Sequence, residues 1–294
     1  MKSIAAILTV FNRVEATVTC LHALLSSAAK EPEIELDIWL TDDGSTDGTS
    51  ARLQREFPQA NLHILQADGS LFWNAGMNNS WRAAISHGGY DGYLWLNNDT
   101  TVNDHLFTEL RAADSYCSAH YDRRGIYVGS TADPETGRLT YGGFDFLSRW
   151  TLKDRFVEPD GEFRGCHCAH GNVTYISAEV VDRMGVLCDG YRHGGGDHDY
   201  TYRAYRAGFP LIVLRRFVAT CRNDHRADGY GEFLEMPMRE RFKYLYSPLG
   251  FNLHNTLLFQ RRCFPWRYPF VWLAGNLKAL APKLYFKAYR HARK

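Results

Sequence analysis

"SIAAILTV", residues 3–10, runs from Ile4 to Leu8 without a polar residue. A strand with one wet face alternates apolar and polar side chains. This one does not, so it reads as a strand covered on both faces, the kind found in parallel sheets layered between helices. Outward from it, Val14, Val18, Leu21 and Leu25 recur at helical spacing, and "ELDIWLT" (35–41) is the next strand. A turn, "DDGSTDGT" (42–49), opens a helix through Leu53. "ANLHILQ" (60–66) is a third strand, "AGMNNSWRAAISH" (75–87) a third helix and "YLWL" (93–96) a fourth strand. Strand and helix alternating at these lengths imply right-handed crossovers and an α/β fold, a Rossmann-like, mostly parallel sheet flanked by helices. Such sheets bind ligands at the carboxyl ends of their strands, where "DDGSTDG" (42–48) and "NNDT" (97–100) both fall.

Past Gly125 the pattern loosens. "GIYVGST" (125–131) reads as a strand, "RLTYGGFDF" (138–146) as a hairpin arm and "VTYISAEVVDRMG" (173–185) as a strand entering a short helix. "HGGGDHDYTYRAYRAG" (193–208) is a glycine-rich loop and a helix that Gly208 can close. Prolines at 248, 265, 269 and 282 predict short helices near the end. The expected division is an α/β domain over 1–235 and a helical, basic-aromatic extension over 236–294.

At 45% hydrophobic the 294 residues can bury a substantial core. Seven cysteines, an odd number without disulfide rhythm, read as reduced thiols of a cytosolic protein. "MKSIAAILTVF" is too short for a signal peptide before Asn12 and Arg13 interrupt it, and no apolar run is long enough to cross a membrane. The net charge of +1 hides an asymmetry: no Asp or Glu follows Glu240, and 11 Lys and Arg lie from Arg241 onward, so the tail carries +11 and the rest −10. That implies an anionic surface as partner. In the tail Phe264, Trp266, Tyr268, Phe270 and Trp272 mix with basic residues. Leu277, Leu280, Leu284 and Ala288 follow at helical spacing beside Lys278, Lys283 and Lys287. This mixture suits the headgroup region of an anionic bilayer. No nucleic-acid module accompanies the charge, so nucleic acid is not expected as a partner.

The motifs each admit two readings. Asp42 and Asp43 form either a strand-end acidic pair facing a base or ribose, or an ordinary turn in which Ser45, Thr46 and Asp47 cap a helix. A calcium loop starting at Asp43 would place Gln54 at its twelfth position, and a strand precedes it, so that reading falls. Asp99 either holds a divalent cation through oxygen or closes an Asx-turn. Asp197 and Asp199, two apart at the start of a helix, point away from each other, and Asp199 can interact favourably with the helix N-terminus. "CHCAH" (166–170) lacks the second ligand pair of a structural zinc site. No "GxxxxGK" occurs, which excludes the P-loop kinase and ATPase readings.

Taken together, "LTVFNR", "WLTDDGSTDGTS", "LFWNAGMNNSWRAA", "LWLNNDTTV" and "GGGDHDYTYRAYRAG" occur in the order and spacing of family 2 glycosyltransferases. Over roughly residues 3–225 the chain resembles bacterial members that build surface polysaccharides, including rhamnosyltransferase-like ones. The resemblance implies a GT-A fold, a nucleotide-diphosphate sugar donor, Mn²⁺ or Mg²⁺, and inversion at the anomeric carbon. It implies a saccharide or polyprenyl-diphosphate-linked acceptor for O-antigen-like polymers, met on the cytoplasmic face of the inner membrane. It assigns Thr9, Phe11 and Asn12 to the base, and Asp43, with Asp42 beside it, to the ring N–H of uracil or thymine. Trp73, Asn74 and Gly76 match a loop covering the nucleotide, with Asn98 also on the nucleotide side. Asn97 and Asp99 occupy the D-x-D positions, and the amide at Asn97 leaves Asp99 as metal ligand, with His225 as a further one. Asp197 stands where the family has its catalytic base, with Gly196 in place of the usual Glu, while His193 orders the loop before it. The departures at Asn97 and Gly196 leave open a nucleotide-sugar binding or scaffold protein whose catalysis has decayed. A sugar nucleotidyltransferase would need a glycine-rich basic loop after the first strand, and "LTVFNRVEAT" has no glycine.

Overall fold

The computed structural model describes residues 1–222 and 229–286. Its first half repeats strand and helix: β1 (Ser3–Val10), α1 (Val14–Ala29), β2 (Glu35–Asp42), α2 (Thr49–Glu56), β3 (Asn61–Gln66), α3 (Phe72–His87) and β4 (Gly92–Leu96). There follow β5 (Thr101–Val102), α4 (Leu106–Tyr121), β6 (Ile126–Ala132), β7 (Leu139–Tyr141), β8 (Gly143–Phe146) and β9 (Asp154–Phe156). Next come β10 (Arg164–Gly165), β11 (Cys168–Ala169), β12 (Val173–Ser177), α5 (Ala178–Met184), α6 (Gly196–Arg206) and β13 (Leu211–Thr220). Short helices follow, among them α7 (Gly229–Glu235), α8 (Met238–Tyr246), α9 (Leu253–Cys263) and α10 (Tyr268–Leu280).

The main sheet runs β10-β13-β6-β12-β4-β1-β2-β3, and β8, β9 and β11 form a small second sheet. Strands β3, β2, β1 and β4 pair parallel, and β12 closes on β4 antiparallel. β1 is central, and its two faces explain the missing alternation. Ile4, Ala6 and Leu8 pack with Leu21 and Leu24 of α1 and with Phe107 and Leu110 of α4. Ala5 and Ile7 pack with Met77 and Trp81 of α3. Successive side chains point to opposite faces, so both must be apolar where both are covered. Each fully buried Ile or Leu contributes about 1.5–3 kcal/mol, which fixes the strand between its two helical layers.

The chain divides into two compact units, Met1–Asp189 with Gly196–Asn223, and Gly190–Gly195 with Asp224–Lys294. The boundary expected after residue 235 is therefore shifted. Phe233 of α7 is fully buried in the second unit's core with Leu245, Leu253, Leu257 and Ala279, so α7 belongs there. The loop Gly190–Gly195 joins the same unit because its carbonyls are held: Asn252 and Asn255 donate to His193 O at 2.8 and 3.1 Å, and Asn255 to Gly194 O at 2.8 Å. The prolines act as expected, with Pro265 opening a 3₁₀ turn and Pro269 in the first turn of α10. All seven cysteines are free thiols. Among the described residues no helix is long and apolar enough to cross a membrane.

Candidate active site

The carboxyl ends of β1, β2 and β4 meet, and each carries one piece of the site. At the end of β1, Thr9 Oγ1 donates to the Thr41 carbonyl at 3.3 Å. Gly76 lies so close that a Cβ there would fall 2.1 Å from Thr9 Oγ1, which makes glycine necessary. Phe11 is 56% exposed. Asn12 and Arg13 are successive non-glycine residues with φ of 56° and 68°, a left-handed backbone that such residues seldom adopt. Asn12 is pinned from two sides: its N–H donates to Ser45 Oγ at 2.7 Å, and its Oδ1 accepts from the Thr46 N–H at 3.0 Å.

At the end of β2 both aspartates are buried and engaged by their own chain. Asp42 accepts from the Ser45 N–H at 2.9 Å and from the Ser50 hydroxyl. Asp43 accepts the N–H groups of Gly69 (3.0 Å), Leu71 (3.0 Å to Oδ2) and Phe72 (3.0 Å). These include the first unsatisfied donors of α3, so Asp43 acts as a remote cap. Asp43 thereby anchors the 69–72 segment. One expectation changes. Trp73, Asn74 and Gly76, expected in a loop, lie in the first turns of α3, because the anchored helix already begins at Phe72. Asn74 is fully buried and donates to the Cys188 carbonyl at 3.0 Å.

At the end of β4 the D-x-D pair is split between two partners. Asn97 Oδ1 accepts from Trp73 Nε1–H at 2.8 Å. Asn98 donates to Thr17 Oγ1 at 3.0 Å. Asp99 Oδ2 accepts from Arg13 at 2.7 Å, with Cys221 Sγ 3.8 Å from Oδ1. The Cys20 thiol nearby is pushed up by burial and then by the Asp99 charge, so it stays neutral. His225 lies outside the described residues. Among the described residues no cluster of three His, Cys, Asp or Glu could by itself hold a metal.

Asp197 opens α6. Its Oδ2 accepts from the Gly171 N–H at 2.9 Å and its Oδ1 from the His198 N–H at 2.9 Å. Asp199, by contrast, is buried and faces Arg203 at 3.6 Å, a structural pair. Trp73 links the two carboxylates' surroundings. Its Nε1 holds Asn97, and its ring packs on Gly171, where a Cβ would fall 2.8 Å from Cζ2. Gly171 in turn donates to Asp197. Two histidines border Asp197: His198 Nε2 lies 3.9 Å from Oδ2, and the His170 ring centroid lies 4.9 Å from that of His198. His170 Nδ1 is 3.0 Å from the Gly142 carbonyl, which can only accept, so Nδ1 carries the proton. Burial, with the neighbouring His198, lowers its pKa to about 4, so it is neutral near pH 7.

Arg13, Gly171, His170 and His198 are residues that sequence reasoning missed. Arg13 stood in the quoted "LTVFNR" and His170 in the "CHCAH" run.

A family model described as Glycosyl transferase family 2 matches residues 5–185. Comparison with curated proteins gives no significant match. Among solved structures, S. aureus TarS 1-349 in complex with UDP superposes with a TM-score of 0.60 at 13% identity, covering 99% of this chain and 92% of that one. The mannosyltransferase PcManGT from Pyrobaculum calidifontis, in complex with GDP-Man and Mn²⁺, gives 0.54 at 15% identity, covering 98% and 79%. At these identities the likeness establishes the fold.

Proposed function

The chain belongs to glycosyl transferase family 2, and from that premise we propose that it is an inverting enzyme taking sugar from a UDP- or dTDP-linked donor. The acceptor is a saccharide or a polyprenyl-diphosphate-linked saccharide of bacterial surface polysaccharide. The observation that carries the reading is that Trp73 joins the β4 end at Asn97 to Gly171, whose N–H orients Asp197, while Asp99 at that same strand end is held by Arg13. The bound UDP and GDP-Man of the neighbours support a nucleotide donor.

The nucleotide side is formed by Thr9, Phe11, Asn12, Asn97 and Asn98. Phe11, exposed at the end of β1, offers an aromatic face for a base. Asp43 places the 69–72 segment with three backbone N–H groups, and its two oxygens, with about four acceptor sites, keep capacity for a ring N–H.

Asp197 is the base. Two backbone N–H groups orient its carboxylate and leave lone pairs for the acceptor hydroxyl. As that oxygen bonds to the anomeric carbon, its proton passes to Asp197 and the bond to the diphosphate breaks. One displacement inverts the centre. Asp99 already accommodates a positive charge, the Arg13 guanidinium, so the position fits a hard cation. Asp99, with His225, would hold Mn²⁺ or Mg²⁺. When bound, the ion supplies neutralisation of charge on the departing diphosphate.

The second unit suits a membrane surface. Phe270, Leu273, Leu277, Leu280 and Leu284 are 40–67% exposed along and just beyond α10, with Trp266 and Trp272 near them. Lys278 does not join the basic face: its Nζ packs 3.5 Å over the Phe251 ring, and burial lowers its pKa to about 8. Arg261, Lys283 and the further basic residues of the tail carry the charge. The full chain then sediments with anionic liposomes at low salt and is released as salt screens the charge. Absence of binding at low salt contradicts peripheral attachment.

A panel of UDP-, dTDP- and GDP-sugars with Mn²⁺ or Mg²⁺, with and without lipid-linked acceptors, tests the catalytic reading. Metal-dependent release of UDP or dTDP supports it and excludes a decayed scaffold. Binding of donors without any turnover across the panel contradicts it.

A further inference from the structure

Arg13 is the unexplained neighbour of the proposed metal position. Its Nη1 lies 2.7 Å from Asp99 Oδ2, although the two residues are 86 apart in sequence. The contact is built in by the backbone. Asn12 is tied to Ser45 and Thr46, both Asn12 and Arg13 adopt left-handed φ, and the Arg13 carbonyl accepts from Thr17 Oγ1 at 3.0 Å and the Thr17 N–H at 3.1 Å. A surface arginine free to choose its partner would not need that conformation. Among the described residues Arg13 is the one cation paired with Asp99. Of its other neighbours there, Asn97 is an amide engaged by Trp73, and Cys221 Sγ lies 3.8 Å from Asp99 Oδ1.

We infer that Arg13 is the resident cation of the Asp99 site, occupying the carboxylate in the metal-free protein and displaced from it by an incoming divalent ion. This rests on the reading of Asp99 as metal ligand. Both side chains are partly exposed, at 54% and 34%, so the pair is weak enough to exchange. Removing the guanidinium eliminates both the competing ion pair and its repulsion of a dication. Together these amount to roughly tenfold in metal affinity.

The test is Mn²⁺ binding alone, followed by the loss of the free-ion electron paramagnetic resonance signal, with full-length wild type, Arg13→Gly, Arg13→Lys and Asp99→Asn. Glycine is the suitable replacement because it accepts the left-handed backbone without strain. Arg13→Gly binds Mn²⁺ about tenfold more tightly than wild type, Arg13→Lys stays within about threefold of it, and Asp99→Asn loses the site. Equal affinity in wild type and Arg13→Gly, with Asp99→Asn still defective, overturns this inference and leaves the metal assignment standing. Unchanged binding in Asp99→Asn, or none in any variant, overturns both.

Discussion

The indole of Trp73 donates to Asn97 Oδ1 at 2.8 Å while its six-membered ring leaves no room for a side chain at position 171. One side chain therefore sets the β4 end and, through the Gly171 N–H, the carboxylate of Asp197. Gly171→Ala forces a Cβ against the ring and lowers stability by about 1–3 kcal/mol, as overpacking does. Turnover falls with it because Asp197 loses its orienting donor. Trp73→Phe removes the Asn97 bond, about 1 kcal/mol, and also the indole atoms packed on Gly171, so it costs more than that bond alone. Denaturant midpoints and turnover of both variants check this; wild-type turnover in Gly171→Ala contradicts the linkage.

Asp43 separates an anchoring role from a base-reading role. Asp43→Ala leaves three backbone N–H groups without their acceptor and lowers stability by about 1–3 kcal/mol. Asp43→Asn, with a single carbonyl oxygen, falls between. A variant as stable as wild type that nevertheless loses nucleotide affinity returns Asp43 to direct recognition of the base.

His170 makes stability depend on pH. Its folded pKa, about 4, lies below the usual 6.5, because burial outweighs the attraction of Asp197 and Asp154 and because His198 repels a second positive charge. Between those values the unfolded chain binds a proton that the folded chain does not, so stability is complete above about pH 6.5 and declines as pH falls toward 4. The loss is on the order of 3 kcal/mol at most. In His170→Gln the slope of unfolding free energy over that window is flatter. An unchanged slope contradicts a neutral, buried His170.

Much of the fold was legible because apolar runs report burial on two faces: Ile4 to Leu8 led directly to the central strand, and "YLWL" to β4. The strand-end carboxylates were legible for the same reason, since a strand's end can be found from its apolar run. What the residues could not announce was partnership. In "FNR" Asn12 is a type that tolerates a left-handed backbone, but Arg13 is not, so the Arg13–Asp99 pair was invisible. The anchoring role of Asp43 was not legible because its partners, the N–H groups of residues 69–72, are backbone atoms that every sequence has. Trp73 is carried by α3 against the main sheet and Gly171 by the turn that leads into β12 of that sheet, so their meeting depends on the fold. The loop 190–195 grouped with the carboxyl-terminal unit because two asparagines 59 and 61 residues away bind its carbonyls.

The most direct test of the division of labour pairs Asp99→Ala with Asp197→Asn, measuring UDP or dTDP binding by calorimetry and its release from the matching donor, with Mn²⁺ and with chelator. Asp197→Asn is expected to bind metal and nucleotide like wild type while turnover falls on the order of 10²-fold or more, the usual worth of a general base. Asp99→Ala is expected to lose the metal dependence of nucleotide binding and most turnover, with the fold intact. Wild-type turnover of Asp99→Ala in chelator, or normal saturated turnover of Asp197→Asn with weakened nucleotide binding, contradicts the account.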